Sequence, residues 1–344
     1  MLFVTNRVLE QGLTPLPAEG SEFRLARSVN FVLENNQAEQ SFYCCRRTGP
    51  YGYTEIGSAN LFDELKSLKA DQILFFIHGF STLPEQAFEQ AEKVQNLLDS
   101  LHQVSQRGTG KSPKIAVIPI IWPCDNDFGR VQDYFDDQKS ADASGLSFMR
   151  LLQKFLEWRN ENSTLDNPCL KRVNVLAYSM GNRVLRGALQ QSAKYYPQSG
   201  LTLLFRNVFM AAADVVNETL ESGQAGGVIP PMSRNVVVYY AADDLALRAS
   251  KVANVGGASA SRRLGHTGPE RMEKVPKNVY AIDCDDFNNE YDRLGHTYFL
   301  DDPQSGDAGL LLRHAWICMR TGRVPVTSRA VPESRIEILN EEQI

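Results

Sequence analysis

Residues Val173–Gly187 read VNVLAYSMGNRVLRG, and the folding of this stretch decides the architecture. A short apolar run, Val173, Val175 and Leu176, leads into Ala177-Tyr178-Ser179-Met180-Gly181. The period then changes. Val184, Leu185, Ala188 and Leu189 recur three to four apart, which puts them on one face of a helix. Ser179 therefore sits where a strand becomes a helix, the setting of a nucleophile elbow of the G-x-S-x-G kind. A serine in so tight a turn takes a strained backbone conformation, and the residues two before and two after it are forced together. Only small residues fit there, and the chain supplies Ala177 and Gly181. A helix opening at Met180 aims free N–H groups at the serine, where an oxyanion could sit. A serine that merely caps a helix in an ordinary βα turn gives the same local pattern, so the flanking sequence has to discriminate.

On both sides of the elbow, strands alternate with helices. Gln72–Gly79 (QILFFIHG) holds five consecutive apolar residues, Ile73–Ile77, too few for a typical helix and suited to a strand buried on both faces. Thr82 and Glu85 are spaced as a capping box, with Pro84 in the first turn of a helix that runs to about Leu101. Lys114–Trp122 (KIAVIPIIW) is another buried strand, ended sharply by Pro123. Asn126–Gln138 reads as a polar and aromatic loop over a strand end, and Ser140–Trp158 as a helix. Beyond the elbow, Asn207–Ala213 and Asn235–Ala242 are strands ending at Asp214 and at Asp243-Asp244. Asp214 could cap a helix over Val215–Leu220, and another helix starts at Leu245. Val255–Lys277 is a Gly-rich, basic excursion, Asn278–Cys284 the last strand and Leu310–Arg320 a closing helix. Leu2–Thr5 is a first strand, while Phe23–Leu33 and Ser41–Cys45 add strands of an antiparallel edge; Leu61–Lys69 is a short helix. Such alternation predicts an α/β fold with a mostly parallel central sheet and helices on both faces. The expected organisation is a single domain over residues 1–320, N-terminal strands included, and a polar tail over 321–344. In such sheets sites form at the carboxyl ends of the strands, where His78, Trp122, Ser179, Asp214 and Asp243-Asp244 all lie; His296 follows the last strand.

The 43% hydrophobic and 22% charged residues are ordinary for a soluble globular protein. A net charge of -5 without a large basic cluster argues against nucleic acid, and no apolar run is long enough to span a membrane. The opening MLFVTNR lacks the parts of a signal peptide. Six scattered cysteines without C-x-x-C spacing point to a reduced, cytoplasmic setting rather than zinc or a disulfide scaffold. The acidic pairs Asp136-Asp137, Asp285-Asp286 and Asp301-Asp302 have no metal-site spacing and read as solvated loops and caps. The basic set Lys251, Arg262, Arg263, Arg271 and Lys274 reads as a solvated excursion. Nothing fixes an oligomeric state.

In order along the chain, FVTNR, FFIHGF, IIWP, DYFDDQKSADAS, LAYSMGNRVL, YYAADDLALRAS and GHTYF span about residues 3–299. With these pieces the chain resembles an α/β-hydrolase, and more narrowly an uncharacterised, mostly bacterial branch known only as a hydrolase domain of unknown function. Two features depart from that branch. Tyr178 precedes the serine where relatives usually have His, and RLGHT occurs twice, at Arg263–Thr267 and Arg293–Thr297.

The resemblance implies a triad in the order serine, acid, histidine. Ser179 is the expected nucleophile. His296, on the loop after the last strand, is the expected base, with His266 as the alternative; His78 precedes the serine, His102 ends a helix and His314 lies in one. The likeness of DDLAL to family sequences aligns Asp244 with the acid, leaving Asp243 as a turn or cap residue and Asp214 at a variant acid position. Phe80 and Met180 are expected to supply the oxyanion N–H groups, with Gly79 allowing close approach. Trp122, Phe128, Tyr134 and Tyr298 either line an apolar acyl pocket or simply pack the core. The implied activity is a cofactor-independent and metal-free serine hydrolase, a carboxylesterase acting through an acyl-enzyme on a small-molecule acyl ester. Amide, peptide or thioester cleavage at the same site, and a non-catalytic scaffold binding a partner, are the competing readings.

Overall fold

An uninterrupted apolar strand has to bury both of its faces, and the central strands of this chain do so. The computed structural model describes residues 1–17, 25–109, 112–125, 131–195, 202–253, 262–325 and 334–335. The chain opens with β1 (Leu2–Arg7), β2 (Leu9–Pro17), β3 (Leu25–Phe31), β4 (Ala38–Gly49), β5 (Gly52–Glu55) and α1 (Gly57–Ser67). Strands and helices then alternate: β6 (Gln72–Ile77), α2 (Pro84–Thr109), β7 (Ile115–Ile121), α3 (Val131–Asn162), β8 (Arg172–Tyr178), α4 (Gly181–Tyr195). After β9 (Phe205–Ala211) come β10 (Ser233–Tyr240), α5 (Leu245–Ala253), α6 (Leu264–Thr267), β11 (Val279–Asp283), α7 (Asn288–Tyr291), α8 (Leu310–Thr321) and β12 (Ser334–Arg335). All the strands join one sheet in the order β12-β11-β10-β9-β8-β6-β7-β1-β4-β5-β3-β2. From β12 to β1 neighbours run parallel; from β1·β4 outward they run antiparallel. The chain thus has the expected α/β architecture, with the antiparallel strands at one edge.

Side chains of a strand alternate between faces, and β6 shows where each face goes. Ile73, Phe75 and Ile77 join a core with Phe148 and Leu151 of α3 and Val184 and Leu185 of α4. Leu74 and Phe76 join the opposite core with Ala91, Val94 and Leu98 of α2 and Leu311 and Ala315 of α8. β8 splits in the same way, Val173, Val175 and Ala177 against Leu176 and Tyr178. On the first face α3 and α4 meet backbone to backbone: a Cβ on Gly145 would stand 2.8 Å from the Gly187 carbonyl carbon.

At the amino ends of the central strands, buried amides form a chain across the sheet. Asn235 Nδ2 donates to Asn207 Oδ1 at 2.8 Å, Asn207 Nδ2 to Asn174 Oδ1 at 2.8 Å and Asn174 Nδ2 to Gln72 Oε1 at 3.0 Å. Gln72 Nε2 ends the chain on the Met319 carbonyl of α8 at 2.9 Å. Asn174, Asn207 and Asn235 are direct register partners on adjacent strands. A slip of one residue would send an amide to the opposite face.

Four local expectations are corrected. α3 begins at Val131, so Val131–Gln138 is helix rather than loop; residues 126–130 lie outside the described residues. Gln86, not the Thr82–Glu85 pair, closes the start of α2: its Oε1 accepts from the Leu83 N–H at 2.9 Å. Glu85 is drawn away by Arg47 at 2.8 Å, and Thr82 Oγ1 donates to the Phe80 carbonyl. Val215–Leu220 is a series of turns, not a helix, because the Val215 carbonyl is taken by the Leu264 N–H at 2.8 Å. The 255–277 stretch is not a wholly solvated excursion, since Leu264 and Arg263 are buried; residues 254–261 lie outside the described residues. β2 was not anticipated. Among the described residues no helix is long and apolar enough to cross a membrane.

Candidate active site

Ser179 follows the end of β8 with φ 51°, the left-handed region that L side chains rarely adopt. The strain is held from several sides. The Ser179 N–H donates to the Ala211 carbonyl of β9 at 2.9 Å, and its carbonyl accepts from Asn182 N–H at 3.1 Å and Asp214 N–H at 3.2 Å. Asn182 Nδ2 adds bonds to the Ala177 and Ser179 carbonyls at 2.9 and 3.1 Å. The need for small residues is steric. A Cβ on Gly181 would lie 2.5 Å from the His78 carbonyl oxygen, and one on Gly79 would lie 3.0 Å from the Ser179 Cβ. The elbow and the His78–Phe80 segment thus interlock through two glycines.

His296 Nε2 lies 2.9 Å from Ser179 Oγ, and His296 Nδ1 lies 2.6 Å from Asp244 Oδ2. Asp244 is fully buried, and its other oxygen accepts from the Leu247 N–H at 2.9 Å, at the start of α5. The histidine loop is anchored independently. The N–H groups of His296 and Thr297 both donate to Asp292 Oδ2 at 3.0 Å. Tyr178 packs its ring on His296 with centroids 5.1 Å apart, and its hydroxyl meets Thr297 Oγ1 at 3.0 Å. Tyr178 therefore seats the histidine loop. Asp243 points elsewhere, accepting from Asn288 Nδ2 at 2.6 Å and from Asn289.

The other candidates are drawn apart from this line. Asp214 pairs with Arg263 at 3.1 Å and accepts the Tyr134 hydroxyl at 2.5 Å. His266 Nε2 faces Arg248 Nε at 3.4 Å. His78 stacks on Trp122, accepts the Trp122 N–H on Nε2 at 3.2 Å and donates from Nδ1 to the Gly79 carbonyl at 2.9 Å. Burial pushes its pKa down to about 3, so it packs as a neutral ring. His314 is buried on α8 against the Tyr239 hydroxyl at 2.8 Å, and burial takes its pKa down to about 4. His102 lies inside α2, not at its end, and meets Ser112 Oγ at 3.1 Å.

Met180 follows the serine directly, and Phe80 follows Gly79, which packs against the Ser179 Cβ. Neither of their N–H groups has an acceptor among the described residues. The expected pocket lining is corrected in part. Trp122 is fully enclosed, with Nε1 bonded to the His78 carbonyl at 2.8 Å, and Tyr298 is 1% exposed, with its hydroxyl on the Tyr239 carbonyl at 3.2 Å. Both are core residues. Tyr134 is half-buried, its ring edge-on to Phe80 at 5.7 Å; Phe128 lies outside the described residues. All six cysteines are buried free thiols. Among the described residues no group of three or more His, Cys, Asp or Glu side chains is arranged to hold a metal. Sequence reasoning missed the Asp214–Arg263 pair and the arginines of α4, whose partners lie on other elements and leave no spacing signal.

Chemically, a hydroxyl within hydrogen-bond reach of one imidazole nitrogen, with a carboxylate on the other, can be deprotonated by a base whose cation is stabilised. Residues 55–311, well over half of the chain, match a family described as alpha/beta hydrolase of unknown function (DUF900). No curated protein and no solved structure matches the chain. The match to the family joins the sheet topology and the elbow: this chain belongs to that α/β-hydrolase family.

Proposed function

We propose that the chain is a serine hydrolase, a carboxylesterase that turns over small-molecule acyl esters through an acyl-enzyme. The observation that carries this is the unbroken line from Ser179 Oγ to His296 at 2.9 Å and from His296 to Asp244 at 2.6 Å. Ser179 Oγ attacks the ester carbonyl while His296 Nε2 takes its proton. The tetrahedral oxyanion accepts from the Met180 and Phe80 N–H groups, which have no acceptor among the described residues. Collapse expels the alcohol, which takes the proton back from Nε2. Water then attacks the acyl carbonyl as Nε2 takes its proton, and the acid leaves as that proton returns to Ser179 Oγ. Asp244 keeps the imidazole in the tautomer that presents a bare Nε2 and stabilises its cation.

Labelling by a fluorophosphonate probe tests the reading. Wild type should label at Ser179, Ser179→Ala should not label, and His296→Ala should label far more slowly. Full labelling of Ser179→Ala would put the nucleophile elsewhere, and an unlabelled, well-folded wild type would favour the scaffold. Matched ester, thioester and anilide substrates of one acyl chain then assign the leaving group.

A further inference from the structure

About one and two helical turns beyond Ser179, α4 carries Arg183 and Arg186. Their Nη2 atoms converge on one carboxylate, Asp142 of α3, at 2.6 and 3.3 Å. Arg263 forms a second ion pair with Asp214 at 3.1 Å, both side chains almost wholly buried. Three guanidinium cations thus share two carboxylates. Burial first, and then the neighbouring Arg183, hold the Arg186 guanidinium below its ordinary pKa, and Arg263 adds to the same field. The arginines are not used up by their partners: Nε of Arg183 and Nε of Arg186 are buried and have no acceptor among the described residues. A buried cation short of acceptors is costly, and the guanidinium fork matches the paired oxygens of a carboxylate or phosphate.

This cluster is joined to the nucleophile. The Asp214 N–H holds the Ser179 carbonyl at 3.2 Å. Tyr134 bridges the two places, with its hydroxyl on Asp214 at 2.5 Å and its ring against Phe80. Asp142 is 46% exposed, so the cluster opens to solvent on the α3 side.

We propose that Arg183 and Arg186, backed by Arg263, form an anion subsite beside Ser179, and that the ester turned over carries a carboxylate or phosphate group. The serine-hydrolase reading is needed only for turnover, not for binding. Two pairs of esters test the substrate side: 4-nitrophenyl hemiglutarate against 4-nitrophenyl butyrate, with the charge on the acyl chain, and carboxymethyl butyrate against ethyl butyrate, with the charge on the alcohol. In at least one pair the anionic member should be preferred by about 10-fold in kcat/KM, and that ratio should collapse in Arg183→Gln and Arg186→Gln. The pair that responds identifies which side of the ester bears the charge. No preference in wild type, or a preference that survives both substitutions, overturns the subsite.

Binding is read separately by calorimetry with glutarate and with inorganic phosphate on Ser179→Ala protein. A Kd of about 1 mM or tighter is expected for at least one of them, lost when Arg186→Gln is added and partly kept in Arg186→Lys, which retains the charge without the fork. If neither anion binds, or binding is indifferent to Arg186→Gln in a protein that melts normally, the subsite is wrong. Binding without fluorophosphonate labelling would leave the subsite standing and overturn the esterase instead.

Discussion

The same four strands end in opposite kinds of chemistry. β6 begins at Gln72 and leads into His78-Gly79-Phe80, β8 carries Asn174 and leads into Ser179, β9 carries Asn207 and leads towards Asp214, and β10 carries Asn235 and leads towards Asp244. At the amino ends the groups are neutral buried amides, and among the described residues none of the four has a fully buried side-chain nitrogen or oxygen without a partner. At the carboxyl ends there are charges, positive φ values at Ser81, Ser179 and Ala212, and unpartnered buried atoms at Asn182, Arg183 and Arg186. The difference teaches that the sheet separates what holds it together from what it holds ready. Strain and unsatisfied donors cost free energy, and they persist here because the opposite end over-determines strand position.

Substitutions at the two ends should therefore dissociate. Ser179→Ala should lower ester hydrolysis by ~10³-fold or more while the thermal midpoint barely moves; a large fall in midpoint would mean that Ser179 holds the fold as well. Asp244→Asn should come next, by ~10²–10⁴-fold in kcat, because the amide stabilises the wrong imidazole tautomer. Asn207→Leu should reverse the pattern. It strands Asn174 Oδ1 and an N–H of Asn235 Nδ2, so urea denaturation should show a loss of roughly 2–5 kcal/mol, with kcat/KM of the folded protein nearly intact. Activity lost without stability would dissolve the distinction.

Acid acts through buried groups outside the amide line. His78 and His314 have folded pKa values lowered to about 3 and about 4, below the unfolded value of about 6.5. The unfolded chain therefore binds more protons than the folded one below that pH, and stability falls as pH drops from there towards 4. Asp137 opposes this: burial raises its pKa to about 7, so its contribution weakens as pH rises from about 4 to 7. Thermal melts across this window should show the midpoint falling on acidification, and His314→Gln should flatten the slope. The smallest effect belongs to His266→Ala, at most ~3-fold on kcat/KM; a loss matching His296→Ala would exchange the two histidines.

What was legible in the sequence follows from where side chains find their partners. β6, β7, β8 and β10 announce themselves because strands buried on both faces are apolar throughout. The elbow serine and Asp244 stood out as candidates because each follows a strand by a few residues, and His296 because it lies on the longer stretch beyond β11; their order came from the family resemblance. The first turns of α3 were not, because Tyr134 and Asp137 are occupied by polar partners from distant elements and give no apolar stripe. Nor was β2, whose Gly12, Pro15 and Pro17 are edge-strand residues that read as loop. Gln72, Asn174, Asn207 and Asn235 are scattered along the chain, and only the register brings them into line.

That amide line has a consequence for biosynthesis. Its donors all point one way, and the last acceptor is the Met319 carbonyl, 247 residues after Gln72. A nascent chain in which the β6, β8, β9 and β10 segments have left the ribosome, but α8 has not, can align its strands and still leave the Gln72 amide exposed to solvent. Closure of the amide line must wait for α8, which latches four strands synthesised before it.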